Sequence, residues 1–184
     1  MMKMVPGSKK TSTITFRLDD GTINKLRNLS RVQEVSTNTL VNQALRRFID
    51  WDVYLPGSGF VILTRPVLKK ILDGLDEKFI VDLASTIGKD EIEDIVLFMR
   101  GKVDLRSFLS WYETMMLNSS VQISHLIDDG VHSIVLKHDL GKKWALYQKT
   151  ILELVFKEAL HKNIELEYDN NTIRVAFADD EATN

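Results

Sequence analysis

Residues 11–18, with the sequence TSTITFRL, alternate apolar and polar side chains. The apolar members are Ile14, Phe16 and Leu18, and the polar members between them are Thr13, Thr15 and Arg17. Strict alternation of β-branched and aromatic residues with polar ones predicts a β-strand that buries one face. We therefore expect the fold to begin with one strand, whose other face carries the threonines and the arginine.

Two short amphipathic helices are predicted to follow this strand. The first begins at residues 19–22, DDGT, which offer capping side chains, and its apolar positions recur at Ile23, Leu26 and Leu29. Ser36 or Thr37 can cap the second, whose wide apolar face consists of Leu40, Val41, Ala44, Leu45, Phe48 and Ile49. A unit of about 40 residues has too small a core to fold alone without a metal, a disulfide or a partner chain. The sequence therefore predicts a partner subunit.

Taken together, residues 12–51 resemble the ribbon-helix-helix family of MetJ-, Arc- and CopG-type DNA-binding repressors. The resemblance rests on the alternating strand, the spaced leucines, the link VSTNTLV at residues 35–41 and the pair Ala44-Leu45. It implies that two chains pair their strands antiparallel into one ribbon, which lies in the major groove of DNA. The dimer core is then expected to contain Ile14, Phe16, Leu18, Leu40 and Leu45.

The polar face of the ribbon is the expected site of base readout. The resemblance assigns this role to Thr13, Thr15 and Arg17. Arginine can donate two hydrogen bonds to guanine, and threonine offers a hydroxyl group to a base edge and a methyl group to thymine. The chemistry of the three side chains therefore agrees with the role that the resemblance gives them.

Phosphate contacts are expected beside the ribbon. The start of the second helix combines side-chain donors with unpaired backbone N–H groups at Ser36, Thr37 and Asn38, and Lys9 and Lys10 add nonspecific contacts. Residues 1–50 contain nine Lys or Arg and four Asp or Glu, whereas residues 51–184 contain 15 and 22, within a net charge of -2. The positive charge that attracts DNA is thus concentrated at the N-terminus.

The rest of the chain predicts a second domain. Residues 56–59, PGSG, are typical of a short connector. We therefore divide the chain into a DNA-binding and dimerisation domain at residues 1–55 and an effector or oligomerisation domain at residues 60–178.

This second domain is predicted to be helix-rich α+β. Residues 66–117 show helical periodicity, with a break expected near residues 88–90, GKD. Residues 121–177 alternate around turn residues in the order ββαββ, and Asp139 is the expected cap of their helix. Residues 179–184 are expected to form a frayed tail. The fold class predicted for the whole chain is α+β.

Three histidines of the second domain are candidate metal ligands. On the predicted first hairpin, His125, His132 and His138 each lie an even number of residues from apolar residues of the same strand. All three could therefore approach one face of the hairpin. This arrangement is similar to nickel-responsive ribbon-helix-helix regulators, in which imidazoles bind the metal. The sequence has no cysteine and no closely spaced His-x-His pair. Surface or core histidines are therefore the favoured interpretation, and neither a metal nor another cofactor is predicted.

Catalysis and membrane insertion are not predicted. We find no Gly-rich phosphate loop opening a helix, no nucleophile elbow and no His-Glu-x-x-His motif. No apolar run reaches the roughly 18 residues that cross a bilayer, and no apolar core follows the basic N-terminus. A cytoplasmic location is the resulting expectation.

These observations favour a dimeric, sequence-specific transcription regulator that binds double-stranded DNA. Its second domain is expected to bind a small-molecule effector or to assemble higher oligomers. Two alternatives use the N-terminal unit for dimerisation and the rest of the chain for protein binding. One is an antitoxin, although the apolar periodicity of the second domain is unlike a short or disordered antitoxin tail. The other is an adaptor that does not bind DNA.

Overall fold

A computed structural model of the chain describes residues 12–179. Its contacts separate two units, Met1–Asp50 and Trp51–Asn184. This division lies before the connector predicted at residues 56–59, because Trp51 is buried among the core residues of the second unit. Its ring stacks on Phe60 with the centroids 5.4 Å apart, and Asp52–Gly57 forms a 3₁₀-helix.

The first unit contains two helices, α1 (Asp20–Val32) and α2 (Thr37–Asp50), where two helices were predicted. The strand predicted at residues 11–18 is not formed in the single chain: residues 12–19 have no regular secondary structure and are exposed. A strand needs a neighbouring strand for its hydrogen bonds, and within residues 12–179 paired strands begin only at residue 122. In one chain, the first unit is therefore a helix pair.

Local hydrogen bonds explain where the two helices begin and end. The hydroxyl and the backbone N–H of Thr22 both donate to Asp19, which caps α1, and they hold the pKa of Asp19 below its usual value. The backbone then turns at Glu34, whose φ of 54° ends the helical path. Ser36 caps α2 by accepting a hydrogen bond from the backbone N–H of Thr39 at 3.0 Å.

The second unit begins with helices, as predicted for residues 66–117. They are α3 (Arg65–Gly74), α4 (Glu77–Leu83), α5 (Lys89–Arg100) and α6 (Leu105–Asn118). Asp76 and Asp104 cap α4 and α6 through their carboxylates. Within residues 12–179, no helix is both long enough and apolar enough to cross a membrane.

We expected a helix break near Gly88, and this expectation is wrong. The chain continues from α4 into α5 through a π-helical segment, Ala84–Gly88. A Cβ atom on Gly88 would lie 2.7 Å from Cδ1 of Ile151, so a neighbouring helix approaches the backbone at this point. The glycine therefore permits close helix packing and does not end a helix.

The ββαββ order predicted for residues 121–177 is confirmed. Its elements are β1 (Gln122–Asp128), β2 (Val131–Lys137), α7 (Lys142–Leu154) with the π-helical extension Val155–Ala159, β3 (Glu165–Tyr168) and β4 (Thr172–Ala178). The strands form one antiparallel sheet in the order β1-β2-β4-β3. A two-residue turn at Asp129 and Gly130 joins β1 to β2, and both residues have positive φ as such a turn requires. The predicted fold class, α+β, is confirmed at this level.

The core of the second unit lies between one face of the sheet and the helices α6 and α7. Alternate residues of β2 and β4 are buried, and they face each other in the register His132↔Phe177, Ile134↔Val175 and Leu136↔Ile173. The core is completed by the aromatic side chains of Phe108, Trp111, Tyr112 and Phe156. The opposite sheet face is more exposed, which is the pattern of a two-layer α+β unit.

Two further expectations need correction. Asp139 does not cap α7: Gly141 occupies the cap position with a φ of 85°, and Asp139 pairs with Arg65 at 3.0 Å. Asp179 was placed in a frayed tail, but its backbone N–H donates to the carbonyl of Gly130 at 2.8 Å and its carboxylate binds Lys162. The rest of the predicted tail, residues 180–184, lies outside the described residues.

Candidate functional site

The predicted base readers occupy the segment that leads into α1. Thr13, Thr15 and Arg17 are all exposed, and Asp19, two residues after the arginine, is fixed as the cap of α1. The apolar residues between the readers are exposed as well, with Ile14 at 73%, Phe16 at 58% and Leu18 at 45%. In the single chain, neither side of the alternating segment is covered.

The predicted phosphate-binding residues lie together at the beginning of α2 and are exposed. The hydroxyl of Ser36 serves the helix cap, and the hydroxyl of Thr37 lies 3.2 Å from that of Ser30 in α1. The side chain of Asn42 donates to the carbonyl and side-chain oxygens of Asn38. The first backbone N–H groups of a helix have no partner within that helix, so those of Thr37 and Asn38 are suited to an anion. Lys9 and Lys10, the other predicted contacts, lie outside the described residues.

The helix pair buries little of its own apolar surface. Among residues 12–50, Ser30 is the one buried residue, while the predicted dimer-core residue Leu40 is half-buried. Large apolar side chains of both helices are exposed, namely Leu29, Val32, Leu45, Phe48 and Ile49. A folded unit normally buries such residues in its core. The amphipathic face of the first unit thus has no counterpart among residues 12–50.

A chain of hydrogen-bonded side chains lies in the second unit, where two of the three candidate histidines meet. Nδ1 of His125 is 2.6 Å from Oε1 of Glu113, and Nε2 of His125 is 2.8 Å from Nδ1 of His132. Nε2 of His132 faces Oδ2 of Asp179 at 4.0 Å, and Oδ1 of Asp179 accepts from Lys162 at 2.9 Å. Helix α6, the hairpin β1-β2, the segment before β3 and the residue after β4 thus bring five distant residues together.

The protonation of His125 sets the direction of these hydrogen bonds. An ionised carboxylate only accepts, so Nδ1 of His125 donates to Glu113. Nε2 of a neutral His125 accepts from Nδ1 of His132, whereas Nε2 of a protonated His125 donates to it. Burial lowers the pKa of His132, and the neighbouring His125 lowers it further, which favours the neutral form of His132.

The histidine pair lines an open groove with a volume of about 630 Å³. Its apolar lining comes from Leu105, Leu109 and Ile127, and its polar lining includes Asp104, Arg106 and Ser110. Hydrogen bonds from Lys102 and Ser107 lower the pKa of Asp104 to about 2, so this carboxylate is ionised at neutral pH. A volume in this range, with apolar walls and a few polar groups, is typical of small-molecule sites.

His138 does not join this cluster. Its ring packs against Trp144 with centroids 4.5 Å apart, and its Nδ1 accepts from the backbone N–H of Leu140 at 3.3 Å. Burial lowers the pKa of His138, although the carboxylates of Asp169 and Asp139 act in the opposite direction. The three histidines therefore do not form one metal site. Among residues 12–179, no group of three or more His, Cys, Asp or Glu side chains is arranged to hold a metal ion.

Acidification is expected to destabilise the second unit. Because His132 and His138 both have pKa values below 6.5 in the folded chain, the unfolded chain binds more protons as the pH falls through this value. The free energy of unfolding, measured with urea, should therefore decrease between about pH 7.5 and about pH 5.5. His138→Gln should reduce this dependence, and His161→Gln at an exposed position should not. An identical dependence in both variants would contradict the assignment of His138.

Sequence reasoning did not identify Glu113, Lys162 or Asp179 as partners of the histidines. Glu113 occupies a polar position in the amphipathic pattern of an ordinary helix. Its contact with His125 depends on how α6 packs on β1. The sequence carries no local pattern for such a long-range contact. Comparisons of the chain with protein-family models, with curated proteins and with solved structures found no match.

Proposed function

We propose that this chain is a dimeric, sequence-specific DNA-binding transcription regulator. In this proposal, residues 11–18 of two chains pair into an antiparallel ribbon that enters the major groove, as in the ribbon-helix-helix family. Thr13, Thr15 and Arg17 read base edges, and the beginning of α2 holds a phosphate. The second unit either responds to a small molecule or assembles oligomers.

The observation that carries the proposal is the uncovered apolar surface of the first unit. Ile14, Phe16 and Leu18 alternate with polar residues and are exposed together with the apolar faces of α1 and α2. Two such surfaces would cover each other if the alternating segments paired, because pairing turns all three apolar side chains to the same side. The same pairing turns Thr13, Thr15 and Arg17 to the opposite side, as one polar surface.

The charges of the first unit agree with a polyanionic partner. The exposed face of α1 carries Lys25, Arg27 and Arg31, and α2 carries Arg46 and Arg47. A basic dimer would gain affinity for DNA by releasing counterions, whatever the base sequence. The adaptor alternative gives no reason for this concentration of basic side chains.

Selection of bound sequences from a random pool of DNA duplexes tests the proposal directly. We expect enrichment of a two-fold symmetric site, because the reading surface is built by two equivalent chains. Affinity for the selected duplex should fall steeply as salt is raised. A dimer that enriches no sequence and binds duplex DNA at no salt concentration would overturn the proposal and favour the adaptor.

Replacing the proposed arginine reader should weaken specific binding. Arg17→Ala is expected to cost about 1–3 kcal/mol on the selected site, because arginine can form two hydrogen bonds with one guanine. Binding curves on the selected and on a scrambled duplex measure this loss. Lys25→Ala on the exposed face of α1 is the matched control, since it also removes one positive charge. Equal losses in the two variants, or unchanged discrimination in Arg17→Ala, would refute base readout by Arg17.

A further inference from the structure

The two edges of the antiparallel sheet differ in their protection. β3 forms one edge with only four residues, of which Glu165 and Glu167 are exposed. β1 forms the other edge with seven residues, and they include no lysine, glutamate or proline. β1 also pairs with β2 without a bulge. Short strands, charges, prolines and bulges are the features that keep a sheet edge from pairing with another chain. The β3 edge has such features, and the β1 edge lacks them.

The outer edge of β1 presents backbone groups that are ready to pair. The two-residue turn after Asp128 makes Asp128 and Val131 a hydrogen-bonded pair, so the even-numbered residues of β1 bond to β2. The N–H and C=O groups of Ile123, His125 and Ile127 therefore point away from β2. Within residues 12–179, no strand pairs with this edge. An added strand would give these groups hydrogen-bond partners.

Apolar side chains beside this edge are uncovered. Leu126 is 64% exposed and Ile127 is 57% exposed, and the two lie on opposite faces of the sheet. A strand added to the edge would cover both, because its side chains flank its neighbour on each face. On the helix side, the open groove lined by Ile127 leaves space for the side chains of that strand.

A second copy of β1 fits the edge along its whole length. In an antiparallel pair with a two-fold axis at His125, Ile123 faces Ile127 of the other copy, and Gln122 faces Asp128. The residues whose backbone groups point outward thus face each other, and each such pair can exchange two hydrogen bonds. This register pairs every residue of the strand, Gln122–Asp128. A shift along the strand would leave residues unpaired at both ends.

The same register places opposite charges near each other. Asp128 faces Gln122 of the second copy, and Lys137 pairs with Gln122 on the neighbouring strand. Asp128 and that lysine are two strand spacings apart, about 9.6 Å between Cα atoms, which the long lysine side chain can span. Two-fold symmetry repeats this contact at the other end of the strand pair. At the β3 edge, Glu165 and Glu167 would instead meet like charges of a second β3.

We propose that the second unit self-associates by antiparallel pairing of β1 with β1 of a second copy, which joins two four-stranded sheets into one. These residues all belong to the unit Trp51–Asn184, so the pairing does not depend on the DNA-binding function proposed for the first unit. One strand pair covers less area than the interface of a stable dimer, and we expect weak association at micromolar concentration. Together with the dimer proposed for the first unit, this contact can build higher oligomers, and that consequence alone rests on the proposed function.

Disulfide trapping in the full chain tests the pairing and its register. The chain has no cysteine, so an introduced cysteine is the only one in each variant. Ser124 faces Leu126 of the second copy as a non-hydrogen-bonded pair with Cα atoms ~4.5 Å apart, which a disulfide can bridge. Two copies of the same position lie on a diagonal of roughly 8 Å, which is too far.

We therefore expect co-expressed Ser124→Cys and Leu126→Cys chains, oxidised after purification, to give at least tenfold more disulfide-linked dimer than either variant alone. Mass spectrometry of the linked peptides identifies the mixed species. Equal yields in the mixture and in the single variants, or no linked dimer in the mixture, would overturn the proposal.

A proline at the edge distinguishes strand pairing from mere proximity. Ile127→Pro, added to both cysteine variants, removes an outward N–H and leaves the hydrogen bonds to β2 in place, so the yield of linked dimer should fall at least tenfold. Ile127→Val keeps the N–H and should leave the yield unchanged. An unchanged yield with proline would refute strand pairing. If the proline variant unfolds, the comparison between mixed and single cysteine variants still decides, because Ser124 and Leu126 are exposed positions.

Discussion

Phe16→Asp is expected to abolish dimerisation of the first unit and, with it, specific DNA binding. Phe16 is 58% exposed in the single chain, so the substitution removes few contacts within one chain. In the proposed ribbon the same side chain is buried between two copies, and a buried carboxylate without a partner costs several kcal/mol. A two-fold axis places this carboxylate in the interface twice, which also adds repulsion between like charges.

Sedimentation equilibrium and binding to the selected duplex measure these two effects. Gln43→Asp, at an exposed position of α2, is the matched control, because it adds the same charge outside the proposed dimer core. The control should remain a dimer. A stable Phe16→Asp dimer with unchanged DNA affinity would show that residues 11–18 do not form the ribbon. Loss of the dimer together with unchanged DNA binding would separate the two functions and contradict readout by two chains.

Phe108→Ala is expected to destabilise the second unit by about 3–5 kcal/mol. Phe108 is fully buried, and its ring contacts the rings of Trp111, Tyr112 and Phe156. Truncation removes these contacts and leaves a cavity between α6 and the segment that follows α7. A loss of this size is a large part of the stability of an ordinary domain.

Urea unfolding followed by the fluorescence of the core tryptophans measures this loss. Leu117→Ala is the matched control on the same helix, because Leu117 is 63% exposed and should change stability by about 0.5 kcal/mol or less. DNA binding by Phe108→Ala should persist under conditions in which the chain stays folded. Similar losses of stability in the two variants would contradict the core position of Phe108.

Elements that depend on local pattern were predictable from the sequence. The hairpin around Asp129 and Gly130 follows from a turn pair between alternating segments, and α1 follows from Asp19 and spaced leucines. Gly88 was misinterpreted, because a glycine that ends a helix and a glycine that admits another helix look alike in one sequence. The difference depends on Ile151, which lies far along the chain.

The candidate sites also contain residues that local sequence pattern predicts and residues that depend on tertiary packing. The readers at residues 13, 15 and 17 were proposed from periodicity and resemblance, and they stay a prediction because their surface requires a second chain. The pairing of His125 with His132 was only partly foreseeable, since strand parity gives the face of a sheet but not the register. Glu113 and Asp179 reach the histidines through tertiary packing, for which the sequence offers no local pattern.

The two π-helical segments, Ala84–Gly88 and Val155–Ala159, affect where the length of this chain can change in evolution. Each segment accommodates its residues in a wider turn than an α-helix would. Deleting one residue from Ala84–Gly88 would restore regular helical geometry and leave α5 in nearly the same orientation, because the wider turn already holds one residue more. Deleting one residue within α5 would instead rotate the rest of that helix by about 100° and carry Val96 and Met99 away from the core. Descendants of this sequence should therefore tolerate single-residue deletions in the π-helical segments more readily than in α5.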